Sequence, residues 1–205
     1  MTREELKQWA KNYVKKYRWE ILGAAFIASI IPAAISGVYT KNAALNLIFS
    51  LASIIITLFL EIGFAKFITE IINGKDANFS LLFSKFNKEC KQTIITAFLR
   101  CIWIFIYSLL LIVPGIIKAI SYSLVPYLLA DDANKKLEPK QVLDLSGKMM
   151  YGHKSEFFVL SLSFVGWHIL AIFTLGILEL WIIPYQQLTI SKFLLDIKNN
   201  YQEVK

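Results

Sequence analysis

Four long runs without a charged side chain constrain this chain more than any other feature. Ile21 to Thr40, Asn42 to Leu60, Cys101 to Ile117 and Phe157 to Leu178 contain no Asp, Glu, Lys or Arg. An α-helix needs roughly 20 mainly apolar residues to cross the hydrocarbon layer of a bilayer, and these runs supply that length or come close to it. Composition agrees: 56% of the residues are hydrophobic and the mean hydropathy is +0.53, against about 45–50% apolar in soluble chains. The polar stretches between the runs are too short for a separate soluble domain. The expectation is therefore one integral membrane domain over 1–205, all-α and polytopic. About six transmembrane helices, near 20–40, 43–65, 93–113, 116–131, 155–174 and 177–195, would form three antiparallel hairpins, with short amphipathic interfacial helices beside them.

The basic residues give an orientation. With six spans, nineteen of the 22 Lys and Arg fall in the N-terminal arm, the segments after spans two and four, and the tail; only Lys41 and Lys118 fall on the other side, and Arg100 lies within a span. Such a bias follows the positive-inside rule, so both termini are expected in the cytoplasm. The net charge of +7 then reflects attraction to anionic lipid headgroups rather than to nucleic acid. Cys90 and Cys101 are the only cysteines and have no CxxC spacing, which argues against structural zinc and a disulfide framework.

Two amphipathic segments flank the spans. Thr2 and Glu5 have capping-box spacing, and Leu6, Trp9, Tyr13 and Tyr17 recur at helical intervals among lysines, so residues 1–19 read as a helix lying on an anionic leaflet or packed on the cytoplasmic segments. The first apolar run is longer than that of a signal peptide and has no clean cleavage site, so the arm is expected to be retained. From Pro139 to Met150, Val142, Leu145, Ser146 and Met149 share one face, and Gly152 follows where the chain must turn. Pro114-Gly115 and Thr174-Leu175-Gly176 are read as the tight junctions of the third-fourth and fifth-sixth spans. Gly115-Ile116-Ile117-Lys118 and Gly176-Ile177-Leu178-Glu179, each followed by Pro-Tyr, suggest a weak internal duplication, although apolar helices also resemble one another by composition alone.

Ionisable groups inside spans are the default candidates for function, because an unpaired charge there is costly. Glu61 and Arg100 lie at similar depth near the cytoplasmic side and are expected to pair. Lys118 and Glu179 occupy matching places near the outer side, where they either pair or reach out to water. His153 and His168, the only histidines, are separated by about 22 Å on a straight helix and cannot share a metal ion. His153 reads as a boundary residue; His168 reads as a packing or proton-linked group within reach of Glu179. Asp131 and Asp132 lack a third ligand at useful spacing and read as a solvated helix end. Gln186 and Gln187, just after Pro184, either line a pathway or lock helices together. No HExxH, GxSxG or P-loop occurs, and no catalytic, cofactor or metal residue is assigned.

The stretches LLLIVPGIIKAISYSLVPYLLADD (109–132) and LDLSGKMMYGHKSEFFVLSLSFVGWHILAIFTLGILELWIIPY (143–185) resemble the bacterial integral membrane family known as domain of unknown function 975. PGIIK, KMM-x-GHK-x-E and SF-x-GWH carry most of the likeness. It implies a bacterial multi-pass inner-membrane protein and no particular activity. The polar candidates are spread along the spans rather than gathered at one reactive centre. That favours a non-enzymatic, transporter-like or accessory membrane protein, with membrane lipids and a protein partner or second copy as contacts. The alternatives are an enzyme acting on lipid through His168 and Glu179 or Asp131 and Asp132, and a structural or immunity-type partner of another membrane protein.

Overall fold

The computed structural model describes residues 2–75, 78–84, 90–110, 112–134 and 136–203. The Cys90 side chain lies outside the described residues, as do Lys85, Lys88, Lys135 and Lys205 from the charge distribution. The described residues form eight α-helices, two short 3-10 turns and their connections: α1 (Arg3–Ser36), α2 (Ala43–Ile72), α3 (Cys90–Leu110), α4 (Ile112–Ser121), α5 (Val125–Ala130), α6 (Pro139–Met149), α7 (Lys154–Phe173) and α8 (Glu179–Glu203). Neighbours in sequence pack together, α1 with α2, α3 with α4 and α7 with α8, while α1 and α2 also contact α8.

Five segments are long and apolar enough to cross a membrane: Arg3–Ser36, Ala43–Ile72, Lys91–Leu109, Val113–Ala130 and Lys154–Phe173. The segment read as a sixth span, 177–195, lies mostly in α8, which is not among them; Glu179, Gln186, Gln187, Lys192 and Asp196 lower its hydropathy. In the apolar stretches of α1, α2, α3 and α7 only 17% of residues are buried, so most of that hydrocarbon faces outward. Val113–Ala130 differs, with 56% buried. Leu124, Leu128, Val142, Met150 and Leu194 close a core around it from α5, α6 and α8.

The N-terminal arm departs from the surface helix expected of it. It is continuous with the first span in a single 34-residue helix. The Glu5 N–H donates to Thr2 Oγ1 at 3.3 Å, and the Thr2 N–H to Glu5 Oε2 at 2.9 Å. Leu6, Ala10, Val14, Tyr17, Ile21 and Ala24, spaced by three and four, are buried. Leu6 meets Leu160 and Phe164 of α7, and the other five belong to a core with α2 and α8. Pro32 interrupts the α1 hydrogen-bond ladder, and Ser53 of α2 donates to its carbonyl at 2.9 Å.

The third-fourth connection also differs from its expected form. Pro114 and Gly115 lie inside α4 rather than at the junction, and Gly115 is required because a Cβ there would strike Ser108 of α3. The expected span 116–131 breaks between Ser121 and Val125 into α4 and α5. Leu175 and Gly176 do form a turn, with φ of 52° and 83°. The suggested duplication therefore has no local structural match: Gly115 and Gly176 adopt different conformations, and Pro126 begins α5 whereas Pro184 lies within α8. In α6 the buried face is Val142, Leu143, Ser146 and Met149, with Leu145 only partly buried. Ser146 donates to the Ser121 carbonyl at 2.7 Å, which ties α6 to the break after α4.

Candidate functional site

Helix α8 presents its two adjacent glutamines to different neighbours. Gln186 meets α7: its Oε1 lies 2.6 Å from His168 Nε2, while His168 Nδ1 lies 2.8 Å from Glu179 Oε1. The short 174–178 turn brings these three residues together. An amide offers an N–H on one face and a carbonyl on the other, so turning Gln186 over satisfies either a neutral or a doubly protonated ring. The arrangement accommodates a change of proton count without moving a helix.

Gln187 lines a cavity of about 400 Å³ with Glu61, Arg100, Ser123, Tyr127 and apolar residues of α2, α3, α7 and α8. Arg100 Nη2 donates to both oxygens of Glu61, at 3.0 and 2.7 Å. The pairing expected from their depths is thus present, and it sets one ion pair at the wall of an otherwise largely apolar chamber. A salt bridge so placed presents a fixed dipole to anything that enters.

Tyr127 also lines a second cavity of about 400 Å³, whose walls carry Lys66, Glu70, Asp131, Asp132, Lys192 and Lys198. The Tyr127 hydroxyl and Ser191 Oγ lie 2.7 Å apart in a buried contact. Asp131 is therefore no solvated helix end. Lys198, 7% exposed, donates to its Oδ2 at 2.6 Å, and the Ala133 N–H to its Oδ1 at 3.0 Å. Burial by itself would raise the Asp131 carboxyl, but these hydrogen bonds outweigh it and hold the group below its ordinary value. Asp132 lies 3.7 Å from Lys66. Among the described residues no three His, Cys, Asp or Glu side chains gather as a metal site.

Lys118 forms no pair with Glu179. Its ammonium lies 4.7 Å from the Tyr107 ring centre and 5.4 Å from that of Tyr122, and it borders a third cavity, of about 540 Å³, with Asp144, Lys148 and Lys154. Of the two expectations for Lys118 and Glu179, pairing is not realised, because the two connections are built differently, and Lys118 shares its cavity with Lys148 and Lys154, which the charge count places on the opposite side. His153 caps the start of α7, with Nδ1 at 3.4 Å from Glu156 Oε2, and is exposed. Sequence reasoning missed Tyr127, Ser191 and Lys198. A tyrosine beside Pro126 and a serine in α8 carry no spacing signal, and Lys198 reads as a tail charge unless α8 is known to continue to Glu203. Leu194 and Leu195, buried one turn earlier, were the available hint.

These side chains lie mostly within one family's sequence pattern. The family described as Protein of unknown function (DUF975) matches residues 90–201, which include every residue of the three cavities and of the His168 cluster from α3 to α8, but not the cavity residues of α2 and its end, Glu61, Lys66 and Glu70 among them. No curated protein and no solved structure matches the chain. More than half of the sequence falls within the family's pattern, and the chain belongs to the DUF975 family of proteins of unknown function.

Proposed function

We propose that the protein spans a bacterial cytoplasmic membrane with both termini inside, α8 lying alongside the N-terminal arm, and that it binds or conducts a small polar solute through the bundle interior. The observation that carries this reading is the pair of cavities sharing Tyr127. One holds the Glu61–Arg100 pair and Gln187; the other, beside the ends of α2 and α5, is lined by lysines and carboxylates. On this reading the cavities are two binding stations, and Tyr127, held by its contact with Ser191, is the barrier between them. The outward apolar faces of α1, α2, α3 and α7 support the membrane setting, since a soluble protein rarely exposes so much contiguous hydrocarbon. An enzyme acting on lipid through His168 is less well supported, because both ring nitrogens are engaged by Glu179 and Gln186 and neither activates a nucleophile.

Thiol accessibility tests the reading. In a protein with Cys90 and Cys101 changed to serine, Asn42→Cys should be labelled by an impermeant reagent in intact cells, and Thr69→Cys should be spared. In inside-out vesicles Gln187→Cys should react with a small water-soluble reagent, and faster once Tyr127→Ala removes the barrier. Labelling of Thr69→Cys and protection of Asn42→Cys would reverse the orientation. A Gln187→Cys that never reacts would mean a dry chamber and end the solute reading.

A further inference from the structure

The basic face of the N-terminal half of α1 is not fully accounted for by the core it covers. Lys7, Lys11 and Lys15 follow one another at intervals of four and border a groove of about 510 Å³, whose opposite wall is apolar: Trp167 from α7, and Trp181 and Ile182 from α8. None of the three lysines has a carboxylate partner among the described residues. Lys7 instead lies 5.3 Å from the Phe164 ring centre. The carboxylate on that part of α8, Glu179, is bonded to His168. Three uncompensated cations against bare hydrocarbon select an amphiphilic anion, for a free inorganic anion leaves the apolar wall uncovered and a neutral lipid leaves the charges unanswered. Two tryptophans, 49% and 55% exposed, stand at its rim, as indole rings do at a bilayer boundary.

We propose that this groove binds one anionic phospholipid of the surrounding membrane, its headgroup phosphate held by Lys7, Lys11 and Lys15 and an acyl chain laid against Trp167, Trp181 and Ile182. The bound lipid would join the start of α1 to the α7–α8 turn, next to the His168 cluster. A nucleic acid needs a broad basic face with phosphates spaced along it, and the groove is too small and too apolar for that. The inference rests on the membrane part of the proposed function but not on solute passage.

The test is native mass spectrometry of the full chain in mild detergent, titrated with phosphatidylglycerol or phosphatidylcholine. The wild type should retain phosphatidylglycerol in preference. Lys11 and Lys15 are exposed, so Lys11→Gln/Lys15→Gln should fold and lose retention by about five-fold per lysine. Lys136→Gln/Lys140→Gln, remote in sequence and also exposed, should behave as wild type, and Trp181→Ala should weaken retention without altering net charge. Equal retention of the two lipids, an unaffected double variant, or displacement of lipid by millimolar inorganic phosphate would each overturn the proposal. Alkaline carbonate washing of membranes separates the two readings. Release of the protein would remove the membrane premise, whereas a protein that stays embedded and shows no headgroup preference would refute only the lipid site.

Discussion

Replacing Glu61 by glutamine removes the carboxylate that holds the Arg100 guanidinium while leaving the shape of the cavity nearly unchanged. The Arg100 side chain is 16% exposed and that of Glu61 41%, so the cost should be unequal for the two partners. Breaking a fully buried pair costs about 3–5 kcal/mol and an exposed one up to about 1 kcal/mol. The more deeply placed arginine, left charged beside a chamber that admits some water, falls between these limits, at about 2–3 kcal/mol for Glu61→Gln. Arg100→Gln leaves the more exposed carboxylate behind and should cost only about 1 kcal/mol. The double variant keeps two neutral amides within hydrogen-bonding reach and should also lose about 1 kcal/mol, a coupling of about 2 kcal/mol between the sites. Equilibrium unfolding in mixed micelles, read by helical circular dichroism, measures all four corners of the cycle. A double variant that loses the sum of the two singles would show that the pair contributes nothing, and Arg100 would then be free to engage a solute.

The remaining predictions concern other contacts. Asp131→Asn should lower stability at neutral pH, since it leaves the buried Lys198 without its carboxylate. Because the folded Asp131 value is depressed, its contribution is present above the ordinary carboxylate range and lost as pH falls through the lowered value, so the variant should show a smaller stability loss than wild type below about pH 4 in acid titration. Gly63→Ala would drive a methyl group into the Leu82 backbone and should cost about 1–3 kcal/mol in thermal unfolding. Gly115→Ala meets the Ser108 side chain and backbone, so Ser108→Gly should restore only part of its loss; full restoration would mean that the backbones are not in contact. His168→Gln should fold as wild type, because glutamine can still donate and accept, whereas His168→Leu strands Glu179 and Gln186 at about 1–3 kcal/mol. A folded but inactive His168→Gln protein would establish a proton-linked role for the ring.

The apolar runs, the lysines between them and the helical spacing of Leu6, Trp9, Tyr13 and Tyr17 are local properties of the chain, so the helical class, the capping of α1 and most of the long segments could be read without coordinates, although the buried stripe runs through Ala10 and Val14, with Trp9 and Tyr13 only partly buried at its edge. Two contacts were also within reach of such reading. Glu61 with Arg100 follows from depth counted along helices, and His168 with Glu179 from their distances to one tight turn. What only the tertiary structure decided is where polar side chains from different helices converge. Whether Gln186 turns to α7 and Gln187 to the chamber depends on how α8 rotates against its neighbours, which two adjacent glutamines do not specify. Lys118 shows the same limit: it stands three residues after Gly115 as Glu179 stands three after Gly176, but Pro114 and Gly115 continue the helix where Leu175 and Gly176 end one. Lys198 is tied to Asp131 because α8 runs past the last apolar residues and α5 stops beside it, a meeting of two chain segments far apart in sequence. Helix periodicity encodes which side of a helix is buried, but the partner it is buried against is set by the packing of the whole bundle.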